Sequence, residues 1–189
     1  MGGIMMGIMN LELGNKPGVT RLTNRMKSIT FAINYSISQC QPFPAAMLIY
    51  SSIDILGSLM NLDSFASAES FKTWTEDYLL LNGSFAFSKE DLWGARCGIL
   101  HTMRYDSKYD ARLKLIVYGF HGFEGLIKMN INPNRYVIVF IEDLFSAFLI
   151  GCKNFLDFLQ KSNDPVINQN LDLLPDYFDL IPTDWINLP

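Results

Sequence analysis

Three cysteines, two histidines and no long apolar run are the first limits this sequence sets. Cys40, Cys97 and Cys152 lie far apart and make no C-x-x-C pair, so neither a disulfide framework nor a zinc site can be drawn from them. Reduced, isolated thiols fit a cytoplasmic setting. His101 and His121 are too few for a histidine-rich metal site. There is no Gly-rich phosphate loop, no Ser-His-Asp order and no deaminase zinc signature, so no metal and no cofactor is expected. The densest apolar stretches, Tyr136–Ile141 and Leu144–Ile150, are separated by Glu142 and Asp143. Neither approaches the roughly 18 residues of a membrane span, so no membrane partner is expected. Met1–Asn10 is apolar but short and has no basic leader, which argues against a signal peptide; Met26 offers a second candidate start. A positive excess is missing too. The formal net charge is −4, which argues against a protein that coats nucleic acid non-specifically.

What is present suits one folded domain. The chain has 189 residues, 49% of them hydrophobic and 18% charged, enough for a real core. Pro44 favours a first helical turn, and Leu48, Ile49, Ile53, Leu56 and Met60 form one apolar stripe to about Leu62. Ser51, Ser52 and Asp54 interrupt the polar side of that helix. A second helix fits Ser67–Leu81, with Phe71, Trp74, Tyr78 and Leu81 three or four apart and Asn82-Gly83 as its stop. Ser88 with Asp91 three residues on reads as a capping-box start for a third helix, which buries Leu92, Trp93, Ala95, Ile99 and Leu100.

After Asp110 the pattern becomes β-rich. Leu113–Tyr118 and Arg135–Phe140 read as strands, with a turn at Asn132-Pro133-Asn134, and are expected to pair antiparallel. A fourth helix spans roughly Glu142–Lys161, with Leu144, Phe148, Gly151, Phe155 and Leu159 on one face; one long helix from Tyr136 is the other reading of this stretch. From Asn163 the chain reads as an irregular acidic tail, pinned to the body by Tyr177, Phe178 and Trp185. The expected architecture is mainly α: a four-helix bundle with a small two-stranded antiparallel insertion between the third and fourth main helices.

Charge is uneven along the chain. Arg96, Arg104, Lys108, Arg112 and Lys114 outnumber Asp106 and Asp110, and the segment is +3; from Lys153 onward the balance is −4. Two solvated faces would give this pattern, and so would a phosphate-binding patch. The basic segment begins at Arg96-Cys97-Gly98-Ile99-Leu100-His101. Arginine carries a permanent charge on a planar fork that fits a phosphate. Histidine takes and gives protons near neutral pH. Together they suffice to cleave a phosphodiester whose own 2′-OH is the nucleophile. Five positions on an ideal helix put the two about 140° apart in azimuth, so they converge only if the helix loosens at Gly98 or ends near Leu100. Near the helix end the dipole favours the protonated imidazole. An arginine that solvates the helix end and a histidine that caps it would give the same spacing. His121, in Gly119-Phe120-His121-Gly122, reads as a turn histidine, and Cys97 as a small, partly buried thiol.

The R-x4-6-H pair late in a helix of a helical bundle resembles the HEPN superfamily. Leu92-Trp93-Gly94-Ala95-Arg96-Cys97-Gly98-Ile99-Leu100-His101 is similar to an uncharacterised group with an Arg-Cys-Gly-aliphatic-Leu-His signature. Ala45–Asp54 and Phe71-Lys72-Thr73-Trp74 with Tyr78-Leu79 resemble its first two bundle helices. The resemblance spans Pro44–Lys161. It implies a metal-independent endoribonuclease in which two protomers bring their motif helices to one cleft. His101 would be the general acid or base, Arg96 would bind the scissile phosphate, and Arg104, Lys108 and Arg112 would hold flanking phosphates. The product would be a 2′,3′-cyclic phosphate. The partners it implies are a second copy, RNA, and an antitoxin or other regulatory protein. A non-catalytic HEPN-like module that binds RNA, a nucleotide or a protein is the other reading. Two positions depart from the pattern: Cys97 stands where active members often carry a polar residue, and Met103 where some carry a modified tyrosine, Tyr105 being the nearest. The implied division is a partly irregular leader over 1–43, a HEPN-like domain over 44–162 and a docked tail over 163–189.

Overall fold

The computed structural model describes residues 15–102, 112–122 and 134–174. Tyr177, Phe178 and Trp185, the proposed pins of the tail, lie outside them. Among the described residues the fold is mainly helical, with six α-helices and one two-stranded sheet.

The first helix, α1, spans Pro17–Ser38, where no helix was expected. Its buried face mixes Val19, Leu22, Met26 and Ile33 with Thr23, Thr30 and Ser36. The three hydroxyls donate back to the carbonyls of Val19, Lys27 and Ala32 at 2.8, 3.0 and 3.0 Å, which satisfies them without solvent. After α1 the chain reverses at Cys40 (φ 52°), whose N–H bonds to the Ile37 carbonyl at 2.9 Å.

The next helix, α2 (Pro42–Ser58), buries Ala46, Ile49, Tyr50, Ile53 and Leu56. Then α3 (Ala68–Trp74) starts on a Ser67–Ser70 capping box. The predicted helix to Leu81 is not α-helical throughout. It widens to a π-turn at Thr75–Leu79 and tightens to a 3-10 turn at Leu80–Asn82. The carbonyl of Tyr78 in the widened turn packs against Gly151, where a Cβ would lie 2.6 Å from it.

The fourth helix, α4 (Lys89–Thr102), begins as the sequence indicates. Ser88 N–H donates to Asp91 Oδ2 at 2.9 Å and Asp91 N–H to Ser88 Oγ at 3.2 Å. The other Asp91 oxygen accepts the Lys114 N–H at 2.7 Å, so the cap also anchors the chain entering the sheet.

Strands β1 (Leu115–Gly119) and β2 (Tyr136–Phe140) pair parallel, from Leu115↔Tyr136 to Gly119↔Phe140. The antiparallel expectation is corrected. The link from 120 to 135 is no tight hairpin, and it exceeds the dozen or so residues a parallel return requires. At Phe140 the chain passes directly into α5 (Ile141–Lys161). All five residues of its predicted face are buried: Leu144, Phe148, Gly151, Phe155 and Leu159. Trp74 stands at the centre of the core, with its ring 5.9 Å from Phe148 and 6.2 Å from Phe155.

The segment after Asn163, read as irregular, contains α6 (Pro165–Asp172). Asp164 caps it by accepting from the N–H groups of Val166 and Ile167, and Pro165 occupies its first turn. Leu171 packs so closely on Gly18 that a Cβ there would fall 2.7 Å from the leucine Cβ. Lys16 Nζ donates to the Leu159 and Ser162 carbonyls and to Asn168 Oδ1, tying the start of α1 to α5 and α6. Among the described residues no helix is long and apolar enough to cross a membrane.

Candidate functional site

Arg96 and His101 meet. Arg96 Nη1 lies 2.9 Å from His101 Nε2. The helix beneath them neither loosens at Gly98 nor ends at Leu100; it runs through to Thr102. The long arginine side chain makes up the azimuth, and the histidine leans back toward the N-terminal end as helix side chains do.

The other edge of the guanidinium is fixed by Asp54 of α2. Arg96 Nε and Nη2 both donate to Asp54 Oδ2, at 2.9 and 2.7 Å. Two opposed ionic groups that share two hydrogen bonds make a strong, oriented contact. One face of the guanidinium is covered by Trp93, one turn earlier on α4, with Cζ 4.9 Å from the ring centroid. Trp93 meets Phe71 edge-on at 5.3 Å, and Phe71 lies 6.2 Å from Tyr50, one turn before Asp54. The arginine therefore rests on an aromatic wall built from α2, α3 and α4.

Three of five guanidinium donors are used here, and two remain. An arginine only donates, so when the imidazole is neutral His101 Nε2 is the acceptor in this contact and Nδ1 carries the proton. His101 itself is exposed, whereas Asp54 is buried. Burial pushes the Asp54 carboxyl above its ordinary value; the hydrogen bond and charge of Arg96, and then the charge of His101, oppose the rise. Asp54 Oδ1 is buried and has no hydrogen-bond partner among the described residues.

The remaining candidates are less concentrated. Arg104 and Lys108 lie outside the described residues. Arg112 is exposed in the turn before β1. Lys114, counted in the same basic run, is drawn to the opposite end of α4, where its Nζ donates to the Ala86 carbonyl at 2.8 Å. Cys97 is half-buried with a free thiol, as expected. His121 does sit in a turn, but the fold gives it acidic neighbours that the sequence does not. Its Nε2 lies 2.9 Å from Asp143 Oδ1, and its N–H donates to Glu142 Oε1 at 3.2 Å. Among the described residues no three His, Cys, Asp or Glu side chains form a metal-binding group.

The residue sequence reasoning missed is Asp54. It stands 42 positions from Arg96, and its one local signal is a carboxylate set next to the apolar stripe of α2. Set beside known proteins, the chain matches no protein-family model, no curated protein and no solved structure.

Proposed function

We propose that the chain is a metal-independent endoribonuclease of HEPN type that cleaves RNA by attack of a 2′-OH at a dimer cleft. The observation that carries the reading is the contact between Arg96 and His101, with Asp54 holding the arginine from behind. It joins a phosphate-binding cation and a proton-transfer group, the two functions this cleavage needs. A scissile phosphate takes the two uncommitted N–H donors of Arg96 and competes for the one on His101. That frees His101 Nε2 to accept the 2′-OH proton while the 2′-oxygen attacks phosphorus and the bond to the 5′-oxygen breaks. Arg96 stabilises the extra negative charge of the transition state. The histidine of a second copy, in its protonated form, returns a proton to the leaving 5′-oxygen.

The test is incubation of the purified chain with RNA in EDTA. Cleavage products ending in 2′,3′-cyclic phosphate are expected, with His101→Ala reducing the rate at least about a hundredfold, as loss of a general acid–base group does. Equal cutting by His101→Ala overturns the reading.

One observation favours a second reading, a non-catalytic module of the same kind that binds RNA, a nucleotide or a protein. In the free protein Asp54 balances the charge of Arg96, and Arg96 occupies the Nε2 lone pair of His101. On that reading Arg96→Ala weakens ligand binding and there is no rate to lose.

A further inference from the structure

A cavity of about 450 Å³ opens at the far end of α4 from Arg96 and His101, between the 82–86 loop, β2 and the first turns of α5. Its size is that of a small-molecule site. Asn82, Ser84, Phe85, Phe140, Asp143 and Ser146 line it. Among the described residues no lysine or arginine does, so its chemistry does not suit a phosphate.

Its polar groups lean toward acceptors. Asn82 gives one of its two Nδ2 donors to the Tyr78 carbonyl, which leaves the second N–H and Oδ1. Ser146 has given its hydroxyl proton to the Glu142 carbonyl at 2.8 Å, which leaves oxygen lone pairs. Asp143 is acceptor-only when ionised, and the His121 contact at 2.9 Å uses one lone-pair site on one oxygen. His121 also stacks on Phe140, centroids 4.2 Å apart, and so braces both the carboxylate and an aromatic wall. Phe85 is held by its stack on Phe87 at 4.7 Å. Two braced aromatic rings beside a braced carboxylate fit a flat ligand that brings its own donors.

We propose that this cavity binds a guanine base. Guanine is planar, and its N1–H and exocyclic N2–H₂ place two donors side by side on one edge, matched to the two oxygens of Asp143. The Ser84 hydroxyl in the lining and the second Asn82 N–H are donors for the O6 acceptor. Adenine and cytosine set an amino group beside a ring acceptor, which the Asp143 carboxylate would repel. The proposal stands apart from the nuclease reading, because none of its residues touches Arg96 or His101.

Titration calorimetry of the full chain with guanosine, inosine and adenosine tests it. Guanosine binds, and inosine, which lacks the N2 amino group, binds at least about tenfold more weakly, as loss of one partner of a bidentate pair predicts. Asp143→Asn, which sets an amide donor against N1–H, weakens guanosine by a similar factor while its thermal melt stays that of the wild type; Phe85→Ala weakens guanosine and inosine together. Arg96→Ala binds guanosine as the wild type does. The proposal is overturned if guanosine gives no heat, if inosine matches it, or if spermidine binds and guanosine does not. It is overturned too if Arg96→Ala abolishes guanosine binding, which would put the nucleoside at the other site.

Discussion

Arg96 Nη1 approaches His101 Nε2 to 2.9 Å, and that contact decides which imidazole nitrogen carries the proton. The guanidinium has no lone pair to offer, so the proton lies on Nδ1. Long-range ¹H–¹⁵N spectra of the histidine rings should therefore show His101 as the Nδ1–H form when neutral. Arg96→Ala should remove this preference. A wild-type ring protonated on Nε2 alone would mean that the contact does not persist in solution.

Asp54 fixes the guanidinium that fixes the histidine. Asp54→Ala strands Arg96 half-buried, without the carboxylate that takes two of its donors. The side chains keep 12% and 15% exposure, so the cost is reduced from that of a fully buried pair to about 2 kcal/mol. Urea unfolding measures it. Any RNA cleavage should fall in the same variant, because the guanidinium is no longer held where it would bind the scissile phosphate. A loss of stability under about 0.5 kcal/mol, typical of a surface change, would contradict the placement of this pair.

The Asp54 carboxyl gives a dependence on pH with a definite sign. Its folded value is raised, mainly by burial. The folded state therefore holds this proton more tightly than the unfolded chain does. The stabilisation is complete below the unfolded value, about 3.9, and is lost as pH rises through the folded one. Carboxyl ¹³C titration should place Asp54 above an ordinary aspartate. Arg96→Ala should raise it further, since it removes the hydrogen bond and charge that oppose the rise. A downward move on that substitution would reverse the assignment of causes.

How much of this was legible depends on how local each signal is. The start of α4 was readable because Ser88 and Asp91 form the cap within one turn. The face of α5 was readable because its buried residues are all apolar or glycine at helical spacing. In α1 the buried face carries Thr23, Thr30 and Ser36, whose hydroxyls find carbonyls only once the helix exists. Mean hydropathy is low there, although the apolar residues keep helical spacing. The Asp164-Pro165 start of α6 was present in the sequence but was masked by the acidic, proline-containing composition around it. The β-branched runs gave both strands, but nothing in them carries the sense of pairing, which depends on the path of the 120–135 link. Arg96 and His101 were found because they share one helix. Asp54 was not, because only the packing of α2 against α4 brings it to them.

Tyr50 and Tyr118 share a hydrogen bond between their hydroxyls, and the two ends are not equivalent. Tyr50 is fully buried, and burial raises its hydroxyl far above an ordinary phenol; Tyr118 is partly exposed. Removing the Tyr118 hydroxyl leaves that of Tyr50 in the core, at a cost of about 1–3 kcal/mol. Removing the Tyr50 hydroxyl leaves one that can turn to water, at a cost of about 1 kcal/mol or less. Tyr118→Phe should thus destabilise more than Tyr50→Phe, although Tyr118 is the less buried residue. The reverse order in paired denaturation curves would place the protected hydroxyl on the strand.

Gly151 sets two opposing effects against each other. Within a helix, glycine to alanine ordinarily gains about 1 kcal/mol from reduced backbone freedom and better propensity. At Gly151 the new methyl would lie 2.6 Å from the Tyr78 carbonyl oxygen, 3.0 Å from its carbon and 3.2 Å from the Trp74 ring. Backbone in the π-turn and an indole locked between Phe148 and Phe155 cannot swing aside as a flexible side chain would. Overpacking of this kind costs about 1–3 kcal/mol, which exceeds the helical gain over most of that range. Gly151→Ala should therefore lower the melting temperature, and the π-turn should relax toward regular helix as α5 moves away. A rise in melting temperature would show that α5 does not approach Tyr78 this closely.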